Sequence, residues 1–247
     1  MKMKNKIVTS FALLLLAICS CSKDEDNNAS SSNSNNLRVS SVNNNVAFFP
    51  SVTIGSQVWM TRNLEVTTYR DGTPIPGVPN PSSWQQLTTG AWCYYENVGA
   101  NGTTYGKIYN WYAVAGIYDA ASLANPALRK TLAPSGWHIP SNTEWAYLVN
   151  ILGGQNVAGG KMKETGTLHW FSPNINATNS SGFTGLPGGG RTSGGYYDWL
   201  RNSSAFWSST ELDANQAWYL TLWYNDAKAP MSSVFKDYGW SVRCIRD

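Results

Sequence analysis

The clearest periodic pattern of apolar positions lies near the middle of the chain. Its apolar side chains recur at the spacing of one helical face and are Trp145, Leu148, Val149 and Leu152. Ser141 and Glu144 stand three residues apart at its start, which is the spacing of a capping box, and Gly153 follows its end. The pattern therefore predicts a helix that begins after Ser141 and ends before Gly153. A weaker helical pattern covers residues 109–114.

Most other apolar runs are short and bounded by turn residues, which is typical of β-strands. They predict strands at 51–54, 57–61, 91–95, 136–139, 183–186, 205–209, 217–224, 231–235 and 240–245. The run Pro187-Gly188-Gly189-Gly190 predicts an irregular turn after one of them. No internal repeat is found. We expect an α+β fold dominated by short strands.

A different apolar pattern opens the chain. Lys2, Lys4 and Lys6 precede an apolar stretch at 7–18, which is too short for the about 20 residues of a membrane-spanning helix and fits an export signal. Cys21 follows Ser20, with an aliphatic residue at the third position back, as in bacterial lipoprotein signals. We expect a lipoprotein signal peptide at 1–21, with palmitate-type acylation and lipid attachment at Cys21. The alternative is an ordinary secretory signal with two incidental cysteines.

The residues behind Cys21 are polar. Lys23-Asp24-Glu25-Asp26 resembles the signal that sends Bacteroidota lipoproteins to the outer face of the outer membrane, although such a run is also typical of a solvated linker. Ser and Asn dominate up to residue 45, so residues 22–50 are predicted to be a flexible tether. We expect the protein to lie at the cell surface, anchored in the outer membrane by its lipid.

Charge excludes one class of partner. Removing the signal takes 3 of the 18 basic residues and none of the 15 acidic ones, so the mature chain has a formal charge of zero. A nucleic-acid-binding surface usually carries a clear basic excess. We therefore expect no nucleic-acid partner. Residues 51–247 are long enough for one domain with a sizeable core.

Short sequence blocks in a fixed order suggest a family. They include residues 54–60 (IGSQVWM), 105–114 (YGKIYNWYAV), 134–141 (PSGWHIPS), 159–163 (GGKMK), 186–189 (LPGG), 207–211 (WSSTE) and 241–244 (SVRC). Their order resembles the Fibrobacter succinogenes major paralogous domain family from about Thr53 to Asp247. The resemblance implies a C-type lectin-like domain at 51–247, with short antiparallel sheets, two flanking helices and long irregular loops. It also implies a surface lipoprotein for which carbohydrate or surface adhesion is the usual suggestion.

The resemblance also bears on the two cysteines of the domain. Cys93 and Cys244 could pair in an oxidising compartment, or remain as two buried thiols. Many family members carry a cysteine before the PSGW-type block, where this chain has Ala133. That departure favours an unpaired Cys244.

Enzyme chemistry has little support in the sequence. The two histidines, His138 and His169, belong to no cluster at metal-ligand spacing, and no Gly-x-Ser-x-Gly elbow is present. Glu144 is explained by helix capping, and Glu211 by buried hydrogen bonding as readily as by catalysis. Formylglycine-generating enzymes share a lectin-like fold, but their paired copper-binding cysteines are not matched. We expect no catalytic residue, no metal ligand and no cofactor.

One segment has the composition of a ligand loop. Its glycine-rich stretch carries the candidate ligand-binding residues Arg191, Tyr196, Tyr197, Asp198 and Trp199. Aromatic rings contact the apolar face of sugars, while Arg and Asp bond their hydroxyls. The alternative is that these aromatic residues pack inward under the loop.

Two functions therefore remain open. The first is a non-catalytic, surface-exposed binding module for glycans. The second is an accessory protein-interaction subunit of an outer-membrane protein complex. An exposed aromatic groove would favour the first function, and a broad apolar patch would favour the second.

Overall fold

The computed structural model describes residues 49–247. The signal peptide, Cys21, the acidic run and most of the tether lie outside these residues. The sequence predicts that Phe49 belongs to the tether, but its ring packs edge-on against Trp137 with ring centroids 6.1 Å apart. The folded domain thus includes Phe49.

Two β-sheets organise the domain. Within residues 49–247 their strands are β1 (Ser51–Ile54), β2 (Gln57–Met60), β3 (Trp92–Cys93), β4 (Ile108–Asn110), β5 (Trp137–His138), β6 (Gly188–Arg191), β7 (Tyr197–Leu200), β8 (Ser203–Glu211), β9 (Gln216–Trp223), β10 (Met231–Phe235), β11 (Gly239–Trp240) and β12 (Ile245–Arg246). The smaller sheet has the order β1-β2-β12-β5, so strands from both ends of the domain pair through Trp59 and Ile245.

The larger sheet has the order β10-β9-β8-β6-β11-β4-β3, and β7 pairs with β6 beside this path. Its neighbours are antiparallel except β6 and β8, which run parallel where Gly189 faces Ser204. Most residues in β8 are buried because this strand lies inside the sheet between β9 and β6. The sheet therefore provides a rigid base for the segments that connect its strands.

Helices are mostly short. Across the described residues the α-helices are α1 (Pro81–Trp84), α2 (Gly99–Tyr105), α3 (Trp111–Val114), α4 (Ala120–Ala124), α5 (Asn142–Ile151) and α6 (Ala158–Met162), and single turns of 3-10 helix occur at Tyr95–Asn97 and Pro126–Leu128. The predicted central helix is confirmed as α5: Ser141 Oγ accepts from the backbone N–H of Glu144, whose carboxylate accepts from that of Ser141. Its buried face carries Trp145, Leu148 and Val149.

Tryptophan side chains fill much of the core. Trp137 and Trp207 are buried in one apolar cluster, as predicted, and Trp59, Trp145 and Trp170 are buried in a second. Trp84 lies in a third cluster with Cys93 and Ile108. The domain thus buries large aromatic rings where a helix-rich protein would bury aliphatic stripes.

The sequence predictions fail at three places, two of them predicted strands and one a predicted turn. Residues 183–186 form no strand, and Gly185 makes only an isolated bridge to Lys163. The run at 240–245 divides into the ends of β11 and β12. The glycine run predicted as a turn contributes the start of β6, because an added Cβ on Gly190 would lie 2.0 Å from the Trp240 ring. Glycine is needed there for close packing rather than for a turn.

The fold class is confirmed at its coarser level. The chain is a mixed α+β protein in which short strands outnumber the helices. The weaker helical pattern at 109–114 corresponds partly to α3, whereas its first residues belong to β4.

Candidate ligand-binding site

The predicted ligand segment forms a β-hairpin. β6 and β7 pair antiparallel, with Arg191 opposite Tyr197. The backbone N–H of Thr192 donates to the carbonyl of Tyr196 at 2.8 Å and closes the connecting loop. Gly195 has a φ of +80°, and an added Cβ there would lie 2.5 Å from the carbonyl oxygen of Pro81. The loop is therefore packed against α1 at Gly195.

Arg191 does not reach the surface. Its side chain is fully buried and donates to the carbonyl oxygens of Gly195 at 2.9 Å, Val78 at 2.6 Å and Pro79 at 2.8 Å. The guanidinium carbon lies 4.4 Å from the centroid of the Trp84 ring. The prediction that Arg191 contacts a ligand is therefore corrected, because burial and these bonds give the residue a role in fixing the hairpin.

The remaining four candidates differ in exposure. Tyr196 is 71% exposed at the loop, and Asp198 is also exposed. Tyr197 is half-buried and its hydroxyl donates to Asn97 Oδ1 at 2.9 Å. Burial is the main factor that raises the pKa of Tyr197 above its usual range, so this hydroxyl stays protonated and able to donate.

Trp199 combines packing with an unusual backbone conformation. Its ring centroid lies 5.3 Å from that of Trp240, and the side chain is half-buried. Its φ of +65° is rare for a bulky residue, and such conformations persist only where the surroundings enforce them. The structure thus brings Tyr196, Asp198 and part of Trp199 to the surface, and only Arg191 is enclosed.

A groove adjoins this hairpin. Residues 77–79 form one wall, and Trp92, Cys93, Tyr94 and Asn97 form the other, around about 190 Å³. The sequence patterns indicated a strand at 91–95 but gave no sign that these residues border a groove. Residues 77–79 precede Trp92 by 13 to 15 positions, and the backbone N–H of Val78 donates to the carbonyl of Trp92 at 2.9 Å, so this pairing brings the two segments together.

A larger cleft of about 580 Å³ lies elsewhere. Its lining combines apolar residues with Lys130, His138, Ser141 and Glu144. His138 Nε2 lies 2.8 Å from Glu144 Oε1, and His138 Nδ1 lies 2.8 Å from Asp247 Oδ1. Burial lowers the pKa of His138, but the bonds to the two carboxylates outweigh this effect and raise it above the usual value. Both ring nitrogens are thus bonded to carboxylate oxygens.

The two cysteines and Glu211, which were weighed above as possible reactive groups, are held by burial or by a bond to another side chain. Cys93 and Cys244 are free, buried thiols, and burial raises the pKa of Cys244 to about 12. Glu211 Oε1 accepts from the ammonium of Lys236. Among residues 49–247, no group of three or more His, Cys, Asp or Glu side chains is placed to hold a metal ion.

The sequence profile of the Fibrobacter succinogenes major domain matches residues 52–246. This chain belongs to that family. The predicted resemblance is thereby confirmed, and the Fibrobacter succinogenes major domain spans both sheets, the hairpin and the groove. No curated protein and no solved structure matches the chain. Within the part of the chain that the structure describes, no helix has the length and apolar character needed to cross a bilayer.

Proposed function

We propose that the protein is a surface-exposed lipoprotein of the outer membrane, anchored through Cys21, and that its domain is a non-catalytic binding module for glycans. The observation that carries this proposal is the exposed Tyr196 ring, which is 71% exposed on the hairpin loop. An exposed aromatic ring contributes little to the stability of the fold. On a well-anchored loop it offers a stacking surface to a ligand.

The anchoring of the loop supports a binding role. Arg191 holds the carbonyl of Gly195, the residue directly before Tyr196, and also the carbonyls of Val78 and Pro79. These bonds fix the backbone that presents the ring. A loop that is ordered before binding loses less conformational entropy in the complex, which favours affinity.

The chemistry around Tyr196 suits a sugar. The Asp198 carboxylate is exposed two residues away, and Trp199 presents part of its ring on the same hairpin. Carboxylates accept from sugar hydroxyls, whereas aromatic rings contact the C–H faces of pyranoses. The hairpin therefore combines both kinds of contact.

We also infer a C-type lectin-like fold for the domain. This inference is supported by two sheets with mainly antiparallel pairing, by the pairing of β2 with β12, and by long segments without regular structure such as 163–187. The surface location is supported by the sequence alone, through the apolar stretch at 7–18, Cys21 and the acidic run that follows.

A glycan array tests the proposed binding. Wild-type full-length protein should bind at least one class of glycan, and Tyr196→Ala should weaken that binding at least tenfold. Phe235→Ala is the matched control, because Phe235 is an exposed aromatic residue on β10 rather than on the hairpin. Absence of binding by the wild type, or equal losses in both variants, would refute glycan recognition by the hairpin.

A second function is favoured by a separate observation. Leu168 is 75% exposed and Phe171 is 44% exposed, and Ile175 is also exposed in the same segment. Such neighbouring apolar side chains are typical of protein contacts. An accessory role in an outer-membrane complex predicts that Leu168→Asp abolishes co-purification of a defined partner while leaving glycan binding unchanged.

A further inference from the structure

The groove beside the hairpin has the features of a small binding site. We propose that it holds one uncharged pyranose ring of the bound glycan, a proposal that rests on the proposed glycan function and adds a second contact region to it. The sequence did not indicate this region as a site, and the hairpin residues do not line it.

Size limits the ligand. The groove encloses about 190 Å³, below the about 300–1,000 Å³ of sites that enclose a whole drug-sized molecule. The groove is not an enclosed cavity, so a chain attached to the bound ring can continue outward. The space therefore fits one ring of a longer glycan rather than an entire oligosaccharide.

The lining selects an uncharged, amphipathic ligand. None of the lining residues, all in the described part of the chain, is charged. Trp92 and Tyr94 supply aromatic surface, while the Asn97 amide and the Tyr94 hydroxyl supply polar groups. A sugar ring presents apolar C–H faces and hydroxyl groups together, and this combination matches both kinds of lining.

A cationic ligand is disfavoured by Lys107. Its buried ammonium lies 4.7 Å from the centroid of the Trp92 ring and 4.8 Å from that of Tyr94. The same nitrogen donates to the Tyr94 hydroxyl at 3.2 Å. Because one cation already lies close to these two rings, a second cation beside them would be repelled. The Tyr94 hydroxyl accepts this bond, and a hydroxyl group that accepts one bond can also donate one to a ligand.

The rim of the groove is held in an unusual conformation. Glu96 has a φ of +52° and Asn97 a φ of +58°, so two consecutive residues other than glycine occupy the left-handed region. Such conformations are costly and concentrate at functional sites. Asn adopts the left-handed region more readily than most residues, whereas Glu rarely adopts it. The conformation of Glu96 is therefore the more unusual of the two.

Asn97 connects the groove to the hairpin. Its Oδ1 accepts from the Tyr197 hydroxyl at 2.9 Å, and its Nδ2 donates to the Pro79 carbonyl at 3.2 Å. The side chain therefore joins both walls of the groove to β7. The groove and the hairpin are thus held together through Asn97.

The substitution Asn97→Gly tests the site with little strain. Glycine accepts the positive φ, so the variant removes the amide while keeping the backbone conformation. Asn176→Gly is the matched control, because Asn176 has a φ of +55° and lies outside the groove. Purified full-length wild type and both variants are titrated by saturation-transfer NMR with the methyl glycosides of glucose, galactose, mannose and N-acetylglucosamine, and with glucuronate.

We expect wild type and Asn176→Gly to bind at least one neutral glycoside, and Asn97→Gly to bind it at least tenfold more weakly. Equal binding by Asn97→Gly, or preference for glucuronate, overturns the groove assignment. If array binding that depends on Tyr196 persists in such a case, the proposed function stands and only the groove fails.

Discussion

The guanidinium of Arg191 lies between two aromatic rings, with its carbon 4.8 Å from the centroid of Tyr197 and 4.4 Å from that of Trp84. Tyr197 belongs to the hairpin and Trp84 to α1, so one buried cation joins the two elements. The guanidinium donates to three backbone carbonyls and lies against two ring faces. Each of these partners is weaker than a carboxylate, but together they hold the buried charge.

Arg191→Leu should therefore destabilise the protein rather than act only on binding. The change leaves three carbonyl oxygens without their donor, and an unsatisfied buried polar group costs about 1–3 kcal/mol. We expect the free energy of unfolding, measured by urea denaturation, to fall by about 3 kcal/mol or more. Arg62→Leu is the control, since Arg62 is exposed and should change stability by less than about 0.5 kcal/mol. Similar small effects for both variants would contradict the buried role.

Trp137→Ala should remove a central part of the core. Trp137 is buried, packs against Phe49 and lies 5.1 Å from the guanidinium carbon of Arg246. Truncation leaves a cavity between these groups, and such changes cost about 3–5 kcal/mol. The same denaturation measurement should show under about 0.5 kcal/mol for Phe235→Ala, which removes an exposed ring. A well-folded Trp137→Ala protein of unchanged stability would show that this ring contributes no core packing.

The bonds of His138 predict a pH dependence of stability. Its folded-state pKa is raised, so its contribution is fully present below about pH 6.5 and is lost as the pH rises through the folded value. In the same range Glu144 remains ionised, because its hydrogen bonds, chiefly from the backbone N–H of Ser141 and from His138, outweigh burial and lower its pKa.

We expect wild type to be more stable than His138→Gln by about 0.5–1 kcal/mol near pH 6, a small value because the ion pairs are partly solvent-exposed. The difference should shrink towards pH 9 when urea titrations are repeated along the pH series. A difference that stays constant, or grows with pH, would show that the charged imidazole does not stabilise the fold.

Cys21→Ala should prevent membrane attachment, because only a thiol can accept the diacylglyceryl group. The residue lies outside the described part of the chain, so this prediction rests on the sequence. Cell fractionation and incorporation of labelled palmitate measure it, with Cys19→Ala as the matched control. Retention of label by Cys21→Ala, or its loss in Cys19→Ala alone, would assign the anchor to Cys19.

Local signals in the sequence predicted the elements that depend on local interactions. The helix α5 carries its cap, its apolar stripe and its terminating glycine within fourteen consecutive positions, from Ser141 to Gly154. By contrast, the strand β6 is mostly glycine because Trp240 and the backbone of β7 approach it closely. Those neighbours are about 50 and 10 residues away along the chain, so the glycine run alone was typical of a turn.

The same distinction between local and distant interactions explains which features of the candidate site could be predicted from the sequence. The composition of the hairpin identified Tyr196 and Asp198, which are exposed. It did not distinguish them from Arg191, since the burial of that residue depends on α1 and on residues 78–79, which lie more than 100 positions away. The groove was missed for a related reason: each wall is an ordinary short segment until the fold places them together.

Tyr196→Ala and Trp199→Ala should separate binding from stability within one hairpin. Tyr196 is largely exposed, so its truncation should change the free energy of unfolding by less than about 0.5 kcal/mol while weakening glycan binding. Trp199 packs against Trp240, and losing one such aromatic pair costs about 0.5–1.5 kcal/mol beyond the buried area. Trp199→Ala should therefore lower the melting temperature by several degrees, as thermal denaturation followed by circular dichroism would show. If Tyr196→Ala lowers it equally, the exposed ring is part of the packing of the hairpin, and the glycan proposal loses its main support.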